Sequence, residues 1–107
     1  MKIDNDRNKK VNFKNKFPEL FQFFGGYFPD AGFDNLTDEN VVRNYVIDCN
    51  KSEVSKKTLE KAKEELSILI VKIDSYWEDV ESETNRYFEG PQDALNWLNM
   101  VLGQLNK

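Results

Sequence analysis

The chain contains no histidine. With histidine go the commonest general base, the commonest zinc ligand, every Ser–His or Cys–His dyad, and the Glu-x-x-His ligands of di-iron bundles. Cysteine occurs once, as Cys49, so no disulfide can close within the chain, which suits a reducing compartment. No apolar run reaches the roughly eighteen residues that a bilayer-spanning helix needs. The opening segment Met1-Lys2-Ile3-Asp4-Asn5-Asp6-Arg7-Asn8-Lys9-Lys10 lacks the apolar core of a secretory signal. Glycine-rich phosphate loops, Cys/His metal spacings, nucleophile elbows and two-residue hairpin turns are missing as well. These absences lead us to expect a cytoplasmic protein with no cofactor, no metal and no catalytic activity.

What the chain does have is charge and helical periodicity. Its 107 residues are 39% hydrophobic and 32% charged, enough for one domain with a core of its own. The net charge of −4 is unevenly spread. Residues 1–16 hold six basic and two acidic side chains, or +4, and the remainder hold nine basic and seventeen acidic, or −8. An acidic body favours basic or cationic partner surfaces over nucleic acid. Residues 1–14 are polar and aperiodic, and are expected to form a flexible arm preceding a helical domain over 15–107.

The most apolar stretch is Phe17-Pro18-Glu19-Leu20-Phe21-Gln22-Phe23-Phe24-Gly25-Gly26-Tyr27-Phe28. On a helix, Phe17, Leu20, Phe24, Tyr27 and Phe28 follow three- and four-residue steps, and Phe21 and Phe23 widen the apolar surface almost all round. Such a helix must be covered on nearly every side, which makes it the expected centre of the domain. Gly25-Gly26 imply a close backbone approach, a bend or a helix end. Pro29-Asp30-Ala31-Gly32 closes the helix.

Thr37 is the expected N-cap of a second helix, with Asp38 and Glu39 in its first turn and Val42, Tyr45, Val46 and Cys49 along its apolar face. Ser52 or Ser55 starts a third, with Leu59, Ala62, Leu66, Leu69, Ile70 and Ile73 as its core stripe. Its run Leu66–Ile73 could pass for a strand, but no breaker separates it from the helical pattern before it and no second strand is available to pair with. Asp74 or Ser75 caps a fourth helix carrying Trp77, Val80, Thr84, Tyr87 and Phe88. Gly90-Pro91 stops that helix and opens the last one, where Ala94, Leu95, Trp97, Leu98, Val101, Leu102 and Leu105 continue the apolar pattern. The expected fold is all-α, a compact single-domain bundle of about five helices. Phe17, Leu20, Phe24, Tyr27, Phe28, Trp77, Trp97 and Leu98 are its structural core.

Paired carboxylates such as Asp34 with Asp38 and Glu60 with Glu64 have no apolar setting to raise a pKa, and belong to a solvated surface. Cys49 lies on an apolar face with no flanking base, so it is expected to be inert and buried. Two acidic clusters remain as interaction candidates. One is the loop and helix start with Asp30, Phe33, Asp34, Asp38 and Glu39. The other is the outer face of the fourth helix, with Glu78, Asp79, Glu81 and Glu83. Acid beside aromatic can both steer a basic partner and anchor it.

The order Phe17-Pro18-x-Leu20-x-x-Phe23-x-Gly25-Gly26-Tyr27-Phe28, then an Asp-bearing loop, then Trp97-Leu98 on a late amphipathic helix, resembles the small all-α immunity proteins of bacterial contact-dependent growth inhibition systems. Where that family carries an Asp-Trp pair two residues after Tyr-Phe, this chain has Pro29-Asp30-Ala31-Gly32-Phe33. The resemblance implies a non-catalytic protein that binds the C-terminal toxin domain of a cell-surface effector. That toxin is expected to be basic and often a nuclease, bound one to one by a monomer in the cytoplasm, with neither nucleic acid nor membrane as a partner. The alternative is a cytoplasmic adaptor or regulator binding a basic host partner through its acidic face.

Overall fold

A computed structural model describes residues 12–29 and 35–107. Residues 1–11 of the expected arm, and the loop residues 30–34, lie outside it. The fold is all-α, and among the described residues no helix is long and apolar enough to cross a membrane. The helices are α1 (12–16), α2 (Pro18–Tyr27), α3 (Asp38–Cys49), α4 (Glu53–Val71), α5 (Ile73–Thr84) and α6 (Pro91–Leu105).

The additional helix arises where the arm was expected. Residues 12–16 are helical and Phe13 is 1% exposed, its ring 5.3 Å from Phe17 and 6.1 Å from Tyr76. Hydrogen bonds run from Phe17 N–H to Phe13 O and from Phe21 N–H to Phe17 O, both 2.8 Å, so the chain is nearly continuous across the junction. The break falls at Phe17, with φ −130° and ψ 61°, because a following proline excludes the helical region for the residue before it.

α2 has a buried side and a wet side. Phe17, Leu20, Phe23, Phe24 and Phe28 are buried, whereas Gln22, Gly25 and Gly26 face solvent. Phe23 belongs to the innermost core, stacked on Tyr45 at 3.9 Å. The glycines are not explained by close packing among the described residues. A Cβ on Gly26 would meet nothing within 4 Å, and one on Gly25 only Glu83 Oε1 at 3.8 Å.

α2 packs against α3, α4 and α5, as a central helix should, and shares that position with two others. α4, the longest helix, packs against α2, α3, α5 and α6, while α6 packs against α3, α4 and α5. α2 and α6 meet through Trp97, whose ring lies 5.7 Å from Phe24 and 4.9 Å from Phe28. Burial of each such ring contributes about 1.5–3 kcal/mol, so a few of them match the whole net stability of a domain, about 5–15 kcal/mol. Of the expected core, Phe17, Leu20, Phe24, Phe28 and Leu98 are buried, and Tyr27, Trp77 and Trp97 are half-buried.

The caps show why the helices begin where they do. Thr37 Oγ1 accepts from Asn40 N–H at 3.2 Å, and Ser52 Oγ from Ser55 N–H at 3.1 Å. The strand-like run is helical through Val71. Its surplus apolar residues stay outside, with Ile68 51% and Val71 83% exposed. Ile73 opens α5 rather than closing α4, since the chain turns at Lys72, and α5 begins without a side-chain cap.

α5 also ends earlier than the Gly90-Pro91 signal implied. It stops at Thr84 because Asn85 adopts a left-handed conformation, φ 55°, which asparagine tolerates better than most residues. Tyr87 therefore leaves the helix and is 81% exposed, while Phe88 folds back into the core at 5%.

The start of α2 is capped from a distance. Pro18 has no N–H, and the next two N–H groups, of Glu19 and Leu20, each donate to Glu65 Oε1 at 3.0 Å. Glu65 comes from the middle of α4 and is only 7% exposed. Burial pushes its carboxyl up from the ordinary value, against the pull of those N–H groups. We expect Glu65→Ala to lower unfolding stability by about 2–3 kcal/mol, because two N–H groups at the helix start lose a charged acceptor. Glu65→Gln, which keeps one oxygen, should lose less. A raised folded-state pKa means that the native state holds the proton more tightly. Wild-type stability relative to Glu65→Gln should therefore fall as pH rises from 4.5 through the raised pKa, as read from paired urea titrations. Gly26→Ala is expected to gain about 0.5–1 kcal/mol in the same assay, since its space is open and alanine favours helix.

Candidate partner-binding surface

The two acidic clusters have different fates. Asp30, Phe33 and Asp34 lie outside the described residues. Asp38 is no free surface carboxylate. Its Oδ1 accepts from Arg86 Nη2 at 2.7 Å and Nε at 3.1 Å, and its Oδ2 from Trp97 Nε1 at 2.7 Å. Arg86 also donates to Phe28 O at 3.4 Å and Thr84 O at 3.2 Å, and its guanidinium lies 5.6 Å from the Phe28 ring centre. The Arg86–Asp38 pair thus ties the end of α2, the start of α3, the end of α5 and the middle of α6. Burial works to raise the Asp38 pKa, but the bonds from Arg86 and Trp97 and the charge of Arg86 outweigh it and hold the carboxyl below its usual range.

The α5 acids do not share one outer face. At 100° per residue, positions 78, 79, 81 and 83 spread around the helix rather than along one side. Glu78 is exposed, but Asp79 is 6% exposed on the inner side with Tyr76 and Val80, and both make contacts of their own. Glu81 is half-buried, and its Oε2 accepts from Phe88 N–H at 2.8 Å, closing the loop that follows. Glu83, also half-buried, reaches toward Gly25 of α2. Glu39 is exposed.

The Arg86–Asp38 pair nevertheless joins parts of both clusters at one end of the bundle. Glu39 follows Asp38 in the chain, Tyr87 follows Arg86, and Glu81 fixes the intervening loop. Tyr87 stands out among carboxylates: Glu89 is exposed two residues on, and Asp93 receives Glu89 N–H at 3.0 Å. Arg86, the nearest cation in the chain, is spent on Asp38. The helical pattern had placed Tyr87 in the core. Only the Asn85 turn signal, a residue suited to left-handed backbone, could have warned otherwise.

Elsewhere the chemistry is quiet. Cys49 is 5% exposed and burial pushes its thiol up. Among the described residues, no group of three or more Cys, Asp or Glu side chains is placed to hold a metal ion. No family model, curated protein or solved structure matches the chain.

The Asp38 geometry sets a pH dependence. A depressed folded-state pKa gives stability that is present above the ordinary value of 3.8 and lost as pH falls through the folded one. Asp38→Asn is therefore expected to cost about 2 kcal/mol at neutral pH, discounted for the partial exposure of the pair. The gap between variant and wild type should narrow in urea titrations carried below pH 3.8.

Proposed function

We propose that this chain is an immunity protein that binds and neutralises a basic toxin domain of a contact-dependent growth inhibition system, in the cytoplasm of the producing bacterium. It acts by binding one to one as a monomer, without catalysis. The observation that carries the reading is Tyr87, 81% exposed in a loop that also carries the exposed Glu89 and is fixed by the Arg86–Asp38 pair. The acidic body and the Phe17–Phe28 pattern with Trp97-Leu98 support it. Carboxylates around a rigidly held tyrosine speed encounter with a cationic cleft, and the ring supplies a contact that persists after docking. Neutralisation of a lethal enzyme calls for a Kd of about 1 nM or tighter, or about −12 kcal/mol. An interface of about 800 Å² per partner can supply it.

Co-expression with the toxin domain encoded beside this chain should restore growth, and cells that still die would overturn the reading. For the complex itself, Glu39→Lys with Glu89→Lys is expected to slow association about tenfold at low salt and leave dissociation nearly unchanged. Tyr87→Ala should speed dissociation while leaving thermal stability as it was. Unchanged rates in both variants would move the interface away from this end of the bundle. Survival without the toxin gene's product, together with a stable complex formed with a basic host protein, would instead favour an adaptor.

A further inference from the structure

On the far side of α2 from Glu83, a crevice of about 220 Å³ opens between α2, α3 and α4. The described residues that line it are Glu19, Gln22, Phe23, Tyr27, Tyr45 and Thr58. This is smaller than the ~300–1,000 Å³ of a usual small-molecule site, and suits one inserted side chain. Its wall is aromatic and rigid: Phe23 stacks on Tyr45 at 3.9 Å, and the Tyr27 ring stands edge-on to Tyr45 at 5.2 Å.

Two of its hydroxyl protons are already engaged elsewhere. Tyr27 donates its hydroxyl proton to Asp48 Oδ2 at 2.5 Å, and Thr58 donates its own to Val54 O at 3.3 Å. These hydroxyls keep lone pairs that can accept, and the Glu19 carboxylate and the Gln22 amide oxygen add further acceptors to the lining. Glu19 brings a carboxylate to the lining, beside Phe23 and Tyr45. None of the lining residues is cationic. Of the cations on α3 and α4, Lys51 bonds Asp48 at 3.1 Å and Lys61 acts on Glu65.

The crevice therefore favours a guest that donates several hydrogen bonds, carries positive charge and lies flat against rings. Arginine meets all three conditions, with five N–H donors, a permanent charge and a planar head that stacks on aromatic faces. Lysine offers a compact, strongly hydrated head that stacks less well. Beside the crevice, exposed Gly26 has open space above it, so a partner's backbone can come close to α2 while its side chain enters.

We propose that the crevice between α2, α3 and α4 receives a single arginine side chain projecting from a basic protein partner. This rests on the toxin-binding reading and adds a second contact to it, on a different face from Tyr87.

The probe is N-acetyl-arginine amide, titrated into the full chain labelled with 15N, with N-acetyl-citrulline amide as the uncharged isostere. Saturable shifts at Gln22, Tyr27, Tyr45 and Thr58, seen with arginine and absent with citrulline, are expected. Glu19→Gln should raise the Kd about threefold, as for a partly exposed charge contact. Thr58→Val should also raise it while leaving the helical spectrum intact. Equal shifts with citrulline, non-saturating shifts scattered over Glu39 and Glu89, or an unchanged Kd in both variants would each overturn the proposal. Binding of the free amide tighter than about 1 μM would mark a small-molecule site and overturn the docking assignment. The co-expression assay stands apart. Protection without arginine binding removes the crevice and keeps the function, and arginine binding without protection does the reverse.

Discussion

A helix as apolar as α2 can be buried only if the polar groups at its two ends find partners, and neither end has a partner of its own making. The N-cap residue is Phe17, which has nothing to offer, and the last carbonyl region meets the departing loop. Both ends are served by residues remote in sequence. Glu65 takes the first two available N–H groups, and Arg86 reaches the Phe28 carbonyl while holding Asp38. The anionic cap also sits at the positive end of the α2 dipole, where its charge is best placed. Burial of the phenylalanines and satisfaction of the backbone are thus one event: the inner side of α2 is dry only with α4 and the α5–α6 loop in place.

The same economy divides the acidic residues into two populations. Glu65, Asp38, Glu81 and Asp93 accept hydrogen bonds that hold helices and loops in place, and their charge is turned inward or spent. Glu39 and Glu89 are turned out. Net charge counts both alike, yet only the second population projects a field that a partner can feel at a distance. The proposed surface is therefore less acidic than the composition suggests, and more sharply located.

Element type was legible in the sequence because periodicity and caps agree locally. Thr37 and Ser52 cap as their types suggest, and Pro18 and Pro91 sit in first turns. What was not legible depended on partners distant in the chain. Nothing in the neighbourhood of Glu65 distinguishes it from Glu64, one exposed and one buried a single residue apart. Asp79 looks like its neighbour Glu78 until the packing side of α5 is known. Phe13 hid inside a polar segment because one aromatic residue makes no pattern, and its burial rests on Tyr76, far along the chain. The candidate surface was half legible. Its acids were visible, but Tyr87 joined them only because Asn85 ended the helix before the pattern did.

The single thiol has a use that follows from its position. Cys49 sits in the last turn of α3, buried against the core beside Tyr45, in a chain with no other sulfhydryl. A thiol reagent reaches it only when that turn opens, so labelling follows the opening of one known place rather than an average over the molecule. The protein thus carries its own clock for the loosening of the α3 end, readable by mass alone and set running without any engineered tag.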